Sequence, residues 1–196
     1  MTLMIVDAAF MSIGLNYFIS VVPAVATYEA CMERGEVPQT LEDLSTISYD
    51  MVCGIWKNRR SWQVARSVAG QLVNYSHDDR SALREWAAQA PVVGWESDPV
   101  GKVSGVGITT YQYLRMMGGI DTSMPDKIVR RVIAELLRDA QVELSVNRDL
   151  ELIDTIDFIA RETGHGAIDL CWMTWMVQSE GKLVRMEKYR ELLQRI

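Results

Sequence analysis

Cysteine is scarce in this chain: Cys31, Cys53 and Cys171 are the only three in 196 residues and lie far apart. No even framework of half-cystines can be drawn, which excludes a disulfide-stapled secreted domain and fits a reducing compartment. Histidine is scarcer still, with His77 and His165 alone. Neither stands in the Cys/His spacing of a zinc site, so no metal site is expected. Positive charge is in deficit, 20 Lys and Arg against 26 Asp and Glu, for a net charge of −6. That balance excludes broad coating of nucleic acid, so any such contact must rest on local basic patches. Alternation of the β type is missing over any useful length, as are internal repeats and low-complexity linkers.

Charge is also absent from Ala8 to Tyr28, which raises a membrane span or a signal peptide. Both need a basic flank, and no Lys or Arg precedes Arg34. Asn16 and Pro23 interrupt the run, so two buried helices meeting near Pro23 are expected, with no membrane. What is present is helical periodicity. Trp62, Ala65, Val68, Ala69 and Leu72 recur at three- and four-residue steps, as do Ile128, Val132, Ile133 and Leu136, and Leu152, Ile153, Ile156 and Ile159. Turn signals at Gly35–Pro38, Asn58–Ser61, Ser76–Asp79, Pro91–Pro99 and Gly164–Gly166 divide about ten helices. The fold class expected is all-α, and 48% hydrophobic content suits one domain or two small lobes sharing a core.

The chemistry concentrates in Val103 to Val132. Ser97-Asp98-Pro99 reads as a helix start, because Asp caps free N–H groups and Pro is tolerated at the first helical position; that helix would end at about Val103. Gly105 and Gly107 then supply a tight reversal before helix resumes at Ile108. Backbone N–H groups at such a reversal converge on a site suited to one phosphate. Gly118-Gly119 closes the second helix, and Asp126 opens the next one as either a cap or a catalytic carboxylate.

Val103-Ser104-Gly105-Val106-Gly107, followed some twenty residues on by Pro125-Asp126-Lys127-Ile128-Val129-Arg130-Arg131-Val132, resembles the helix-hairpin-helix DNA glycosylase superfamily. That family carries a Leu-Pro-Gly-Val-Gly-like hairpin and a Val-Asp-x-x-Val-x-Arg-Val-like segment in this order. Upstream, Thr40-Leu41-Glu42-Asp43-Leu44 and the helix with Trp62, Ala65, Arg66 and Ala69 look like its pre-hairpin helices, so the resemblance covers about residues 15–145. Two positions depart from the pattern. Bifunctional members carry a lysine two residues past the second hairpin glycine, where this chain has Thr109, and the three separated cysteines cannot supply a four-cysteine iron–sulfur cluster.

The resemblance implies a single two-lobed unit over 1–196. About 20–145 would form a central lobe with the hairpin within 98–118, and about 1–20 plus 146–196 would form the second. It implies a monofunctional glycosylase of the base-excision-repair type that hydrolyses the N-glycosidic bond of a damaged or mismatched base. Asp126 would be the catalytic carboxylate, and Gly105, Val106, Gly107, Thr109, Lys102, Lys127, Arg130 and Arg131 would hold double-stranded DNA. The hairpin carbonyls could hold a monovalent cation; no other cofactor is expected. Trp95 and Trp56 are the candidates to stack on a flipped base, whereas Trp172, Trp175 and Met176 read as packing. Lys57, Arg59 and Arg60 form a basic loop that reads as a solvated turn or a phosphate grip. A monomer, cytoplasmic and nucleoid-associated, is the expectation. Two other readings stay open: a noncatalytic hairpin module that uses Asp126 only as a cap, and an all-helical interaction protein, which the acidic balance would suit.

Overall fold

A computed structural model describes residues 1–177 and 190–195, and among these every regular element is helical. In chain order they are α1 (Thr2–Met11), a π-helical turn (Tyr17–Val21), α2 (Val22–Glu33), α3 (Leu41–Thr46), α4 (Tyr49–Val52), α5 (Arg59–Leu72), α6 (Asp79–Gln89), a 3₁₀ turn (Trp95–Ser97), α7 (Ile108–Met117), α8 (Lys127–Asp139), α9 (Asp149–Thr163), α10 (Ala167–Val177) and α11 (Arg190–Leu193). No helix among the described residues is long and apolar enough to cross a membrane. Residues 178–189, part of the expected second lobe, lie outside the described residues.

The helices start where short polar side chains satisfy the first free N–H groups. Thr40 Oγ1 accepts from Asp43 N to open α3, Asn58 Oδ1 from Ser61 N to open α5, and Asp78 Oδ2 from Ser81 N to open α6. The centre of the core is α1 laid against α5 and α7, with α2 beside it, α3 on α5 and α6 on α7. Trp62, Ala65, Val68, Ala69 and Leu72 of α5 are all buried, as their spacing predicts. Phe10 of α1 seats on this face, stacked on Trp56 at 4.7 Å and edge-on to Trp62 at 4.8 Å. Burying each such side chain is worth roughly 1.5–3 kcal/mol, so α1 docks chiefly by area. Farther along the chain, α10 packs on α8 and on α9.

Three local expectations are corrected. The apolar run from Ala8 to Tyr28 does not break at Pro23: the break is at Ser12–Asn16, where Gly14 has φ +72°. Pro23 sits in the first turn of α2, entered through the π-helical turn. Early in a helix the missing N–H costs little, and the wider turn before it relieves the crowding that the ring would impose on a preceding carbonyl. The helix expected from Asp98 to about Val103 is likewise not formed. One helical bond, Lys102 N to Asp98 O, is made, and residues 99–105 are otherwise turns. Asp98 does cap, but its Oδ1 accepts from Val100 N and also from the buried Trp86 Nε1 at 3.1 Å. Gly101 is pressed against the Trp95 carbonyl, where a Cβ would collide. Aromatic packing thus holds the segment as a turn over Trp86 and Trp95, and a glycine within five residues of chain gives a helix little to gain. Finally, Leu136 shares the apolar stripe of α8 yet is 57% exposed, whereas Val132, Ile133 and Leu137 are buried. Periodicity says which face is apolar; only the packing partner says how far it is covered.

One polar cluster lies inside this core. Asp7 of α1 is fully buried, and its Oδ2 accepts from Tyr113 Oη at 2.7 Å and Tyr17 Oη at 3.4 Å, while its Oδ1 has no partner. Burial pushes its carboxyl up to about 7, against the lowering effect of the two hydroxyls. Because the folded value exceeds that of the unfolded chain, this contribution to stability is complete below the ordinary Asp range and is lost as pH rises through about 7. Asp7→Asn, which keeps the acceptor but cannot ionise, should gain on the order of 2–4 kcal/mol over wild type between pH 4 and pH 8. Urea unfolding of both proteins at the two pH values measures this, and parallel profiles would refute it.

Candidate active site

Asp126 caps α8: its Oδ1 accepts from Ile128 N at 2.7 Å and Val129 N at 2.8 Å. The carboxyl is half-buried, and desolvation raises its pKa above the ordinary Asp value against the opposing pull of those two N–H groups and of Lys127. The same residue borders a pocket of about 440 Å³. Thr109 and Thr110 of α7, Pro125 and Lys127 beside the carboxylate, Tyr17 and Phe18 of the π-helical turn, and Trp175 of α10 are among its walls. Trp175 meets Tyr17 edge-on at 5.6 Å and Phe18 at 6.2 Å, so one side of the pocket is an aromatic cluster. The Trp175 indole N–H lies close enough to the Asp126 carboxyl to favour its charged form, yet meets no acceptor with hydrogen-bond geometry.

The connection from α7 to α8 brings these groups together. Gln112 is completely buried, donating from Nε2 to Thr122 Oγ1 at 2.9 Å and to the Ser123 carbonyl at 3.1 Å, while its Oε1 accepts from Arg115. Asp121 reaches across to accept from Ile168 N at 3.0 Å, capping α10 from 47 residues away. Thr109 Oγ1 donates to the Pro125 carbonyl at 3.4 Å, so Thr109 stands at the residue that precedes Asp126.

The chain reverses at Gly105, with no helix directly before the reversal. Val106 N donates to Val103 O at 2.9 Å, Gly105 has φ +100°, and Gly107 is the N-cap of α7 with no side chain on its free N–H groups. The two glycines differ in kind. A Cβ on Gly105 would lie 2.7 Å from Val64 Cγ2, whereas one on Gly107, whose φ is an ordinary −106°, would meet nothing within 4 Å. Gly105 is therefore demanded by the approach of α5, and Gly107 faces open space. Val106 is buried beneath the turn.

The basic candidates divide. Lys102, Lys127 and Arg131 are exposed, but Arg130 is drawn to Asp149 and to the Val146 carbonyl, tying α8 to the start of α9. Arg60, read above as part of a solvated turn or a phosphate grip, lies against the hairpin, its Nε 3.4 Å from where a Gly105 Cβ would be. Arg59 instead rests over the Tyr49 ring at 5.4 Å. Neither stacking candidate borders the pocket: Trp56 is stacked on Phe10, and Trp95 is tilted over Tyr111 at 5.7 Å. Of the aromatic residues that do border it, Trp175 reads from the sequence as packing, and Tyr17 and Phe18 are not singled out there. Their only signal was apolar helix-like spacing, which core residues share. Among the described residues no group of three or more His, Cys, Asp and Glu could hold a metal ion.

Comparison of the chain with protein-family models, with curated protein sequences and with solved structures returned no match.

The contrast between the glycines is measurable. Gly105→Ala should destabilise by about 1–3 kcal/mol, from a strained backbone and the Val64 contact. Gly107→Ser, a residue suited to an N-cap, should leave stability unchanged or raise it by up to about 1 kcal/mol. Urea midpoints for the two variants report this, and equal losses would contradict the assignment of roles.

Proposed function

We propose that this chain is a DNA-binding protein of the base-excision-repair type, a monofunctional DNA glycosylase that hydrolyses the N-glycosidic bond of a damaged or mismatched base. The observation that carries the reading is the pocket that joins Asp126 at the head of α8, Thr109 two residues beyond the hairpin, and the aromatic wall of Tyr17, Phe18 and Trp175. A base can be read in such a space only once it is turned out of the duplex, because its edges and glycosidic bond are inaccessible in the stack. The hairpin would take a backbone phosphate on the free N–H groups at Gly107, with Arg60, Lys102, Lys127 and Arg131 as its cationic surroundings and double-stranded DNA as the partner. A monovalent cation between the hairpin carbonyls and that phosphate belongs to the same reading, as does a monomer working in the cytoplasm, where bacterial-type nucleoid DNA is found.

The chemistry needs one anion placed beside the sugar. As the C–N bond breaks, its electron pair leaves with the base and positive charge grows on the deoxyribose. An ionised Asp126 stabilises that charge and accepts the proton of the water that adds to the anomeric carbon. Both capping bonds go to Oδ1, so the cap leaves Oδ2 for this role, with the Trp175 indole N–H close to the carboxyl. Cap and catalyst are then one residue: the N–H groups that hold the carboxylate in place also oppose its protonation in a half-buried site. Its raised pKa sets the sign of the pH dependence. Base release should rise with pH through an acid limb lying above the ordinary Asp range, and then level off.

Asp126→Asn separates cap from catalyst. Asn caps about as well as Asp, so stability should change by less than about 1 kcal/mol. Loss of the charge should slow single-turnover base release on the order of 100-fold or more while duplex binding persists. A screen of duplexes carrying single damaged bases identifies the substrate for this measurement. Equal rates for the two proteins would leave Asp126 a cap and favour a noncatalytic binding module. Because Thr109 offers no amine, wild type should leave an intact abasic site and give no adduct on borohydride treatment, since a Schiff base with the sugar requires an amine nucleophile. A trapped adduct would overturn the monofunctional assignment.

A further inference from the structure

The 14 residues of α5 include Arg59, Arg60 and Arg66 and no Asp or Glu, in a chain whose net charge is −6. All three arginines are exposed, and none makes an ion pair among the described residues. Lys57, exposed as well, adds a further cation just before the Asn58 cap. Folding does not call for this placement. Arg59 and Arg60 stand in the first turn of the helix, where the positive end of the dipole disfavours cations, and no acidic residue in that turn offsets them. An isolated basic helix face in an acidic protein is suited to a partner that brings the opposite charge.

The surroundings of α5 leave that face open. On one side the reversal at Gly105 packs against Val64 and Arg60; on the other, α3 approaches until Ser45 Cβ lies 3.7 Å from where a Gly70 Cβ would be. Gln63 and Arg66 border two adjoining clefts of about 350 and 270 Å³ on the α3 side. Ser45 and Ser67 line the first with them, and Ser48 and Arg59 the second. Asp50 is the one carboxylate that borders either cleft, and Glu42 and Asp43 of α3 border neither. The side chains of Gln63, Arg66 and Ser67 make no hydrogen bond among the described residues, so their donors are open to a ligand. Arg59 and Arg66 lie roughly two turns apart on the same side of the helix, on the order of 10 Å along its axis.

We infer that the outer face of α5 is a second phosphate-contact surface, on which Arg59, Gln63 and Arg66 hold the sugar–phosphate backbone of double-stranded DNA beyond the one phosphate taken at Gly107. That the partner is DNA rests on the DNA-binding reading above; that this face takes an anion rests on its own unpaired charge. A duplex strand presents a charge about every 3.4 Å along the axis, so arginines this far apart meet different phosphates of one partner. Such contacts fix position and carry no base preference.

The test is the salt dependence of binding to an undamaged duplex of about 20 base pairs, followed by fluorescence anisotropy, because each neutralised phosphate contributes about 0.9 to the slope of log K against log salt. Arg59→Gln and Arg66→Gln should each lower that slope by about one, and the double variant by about two, with duplexes of any sequence weakened alike. Arg66→Lys should keep the wild-type slope, since counterion release follows charge. Arg34→Gln changes the net charge equally but removes a cation already paired with Glu36, so its slope should match wild type. A merely structural role, such as the seat of Arg59 on the Tyr49 ring, would lower the melting temperature and leave the slope alone. That result, an unchanged slope in the double variant, an equal fall in Arg34→Gln, or no duplex binding by wild type at low salt would each overturn the inference. Base release judges the glycosylase reading separately. A slope that depends on Arg59 and Arg66, with no base released from any damaged duplex, would uphold the surface and refute the enzyme; base release by wild type, with an unchanged slope in the double variant, would refute the surface and leave the enzyme standing.

Discussion

Gln112 carries no charge and touches no solvent, yet the site is arranged around it. Its side-chain amide donates to Thr122 and to the backbone of Ser123 and accepts from Arg115, so both ends of the amide are satisfied inside the protein. A buried amide that lost these partners would bear its full desolvation cost, which makes the path of residues 118–126 a requirement of the fold. With that path set, two carboxylates arrive at two helix ends: Asp121 at the start of α10 and Asp126 at the start of α8. The segment between two helices thereby orients a third. The same arrangement carries Cys171 and Trp175 of α10 to the Asp126 carboxyl.

The two faces of the Asp126 site differ in what they ask of the protein. Toward the interior, the carboxyl is held by the backbone N–H groups of Ile128 and Val129, which only a proline at those positions would remove, and desolvation and capping pull its pKa in opposite directions. Toward the pocket, it shares the lining with residues brought by distant parts of the chain, the π-helical turn before α2 and helix α10. Such wide turns occur often at functional sites because they re-aim side chains that a regular helix would bury elsewhere. Here the turn places Tyr17 with its hydroxyl inside, on Asp7 and Tyr113, and with its ring at the pocket wall.

Electrostatics refine the reading of an acidic protein that would bind DNA. A chain of net charge −6 cannot rely on a general field, so the placement of a few cations decides the matter. Arg130 is taken up by Asp149 and the Val146 carbonyl, which makes it a brace between α8 and α9. Arg60 moves the other way, from a loop candidate to a neighbour of the hairpin, because α5 packs so closely on Gly105 that only a glycine fits between them.

Much of this was already written in the local pattern. Helical spacing identified α5 and α9 and excluded strands, the Asp126 cap followed from the chemistry of a short carboxylate before a helix, and the reversal at Gly105 followed from glycine's access to positive φ. These are properties of neighbours in sequence, settled within one or two helical turns. Tertiary structure decided the rest, because it depends on which surfaces meet. Asp98 looks like a helix start, but an indole from α6 competes for its carboxylate; Leu136 lies on the apolar stripe, but its side of α8 is left open while Leu137 beside it is covered; Trp56 and Trp95 look available, but Phe10 and Tyr111 take their faces. Tyr17, Phe18 and Trp175 carry the same spacing as core residues, and nothing local tells a ring packed in a core from one at the edge of a cavity. That distinction exists only once elements far apart in sequence, the π-helical turn and α10, are brought to the same pocket.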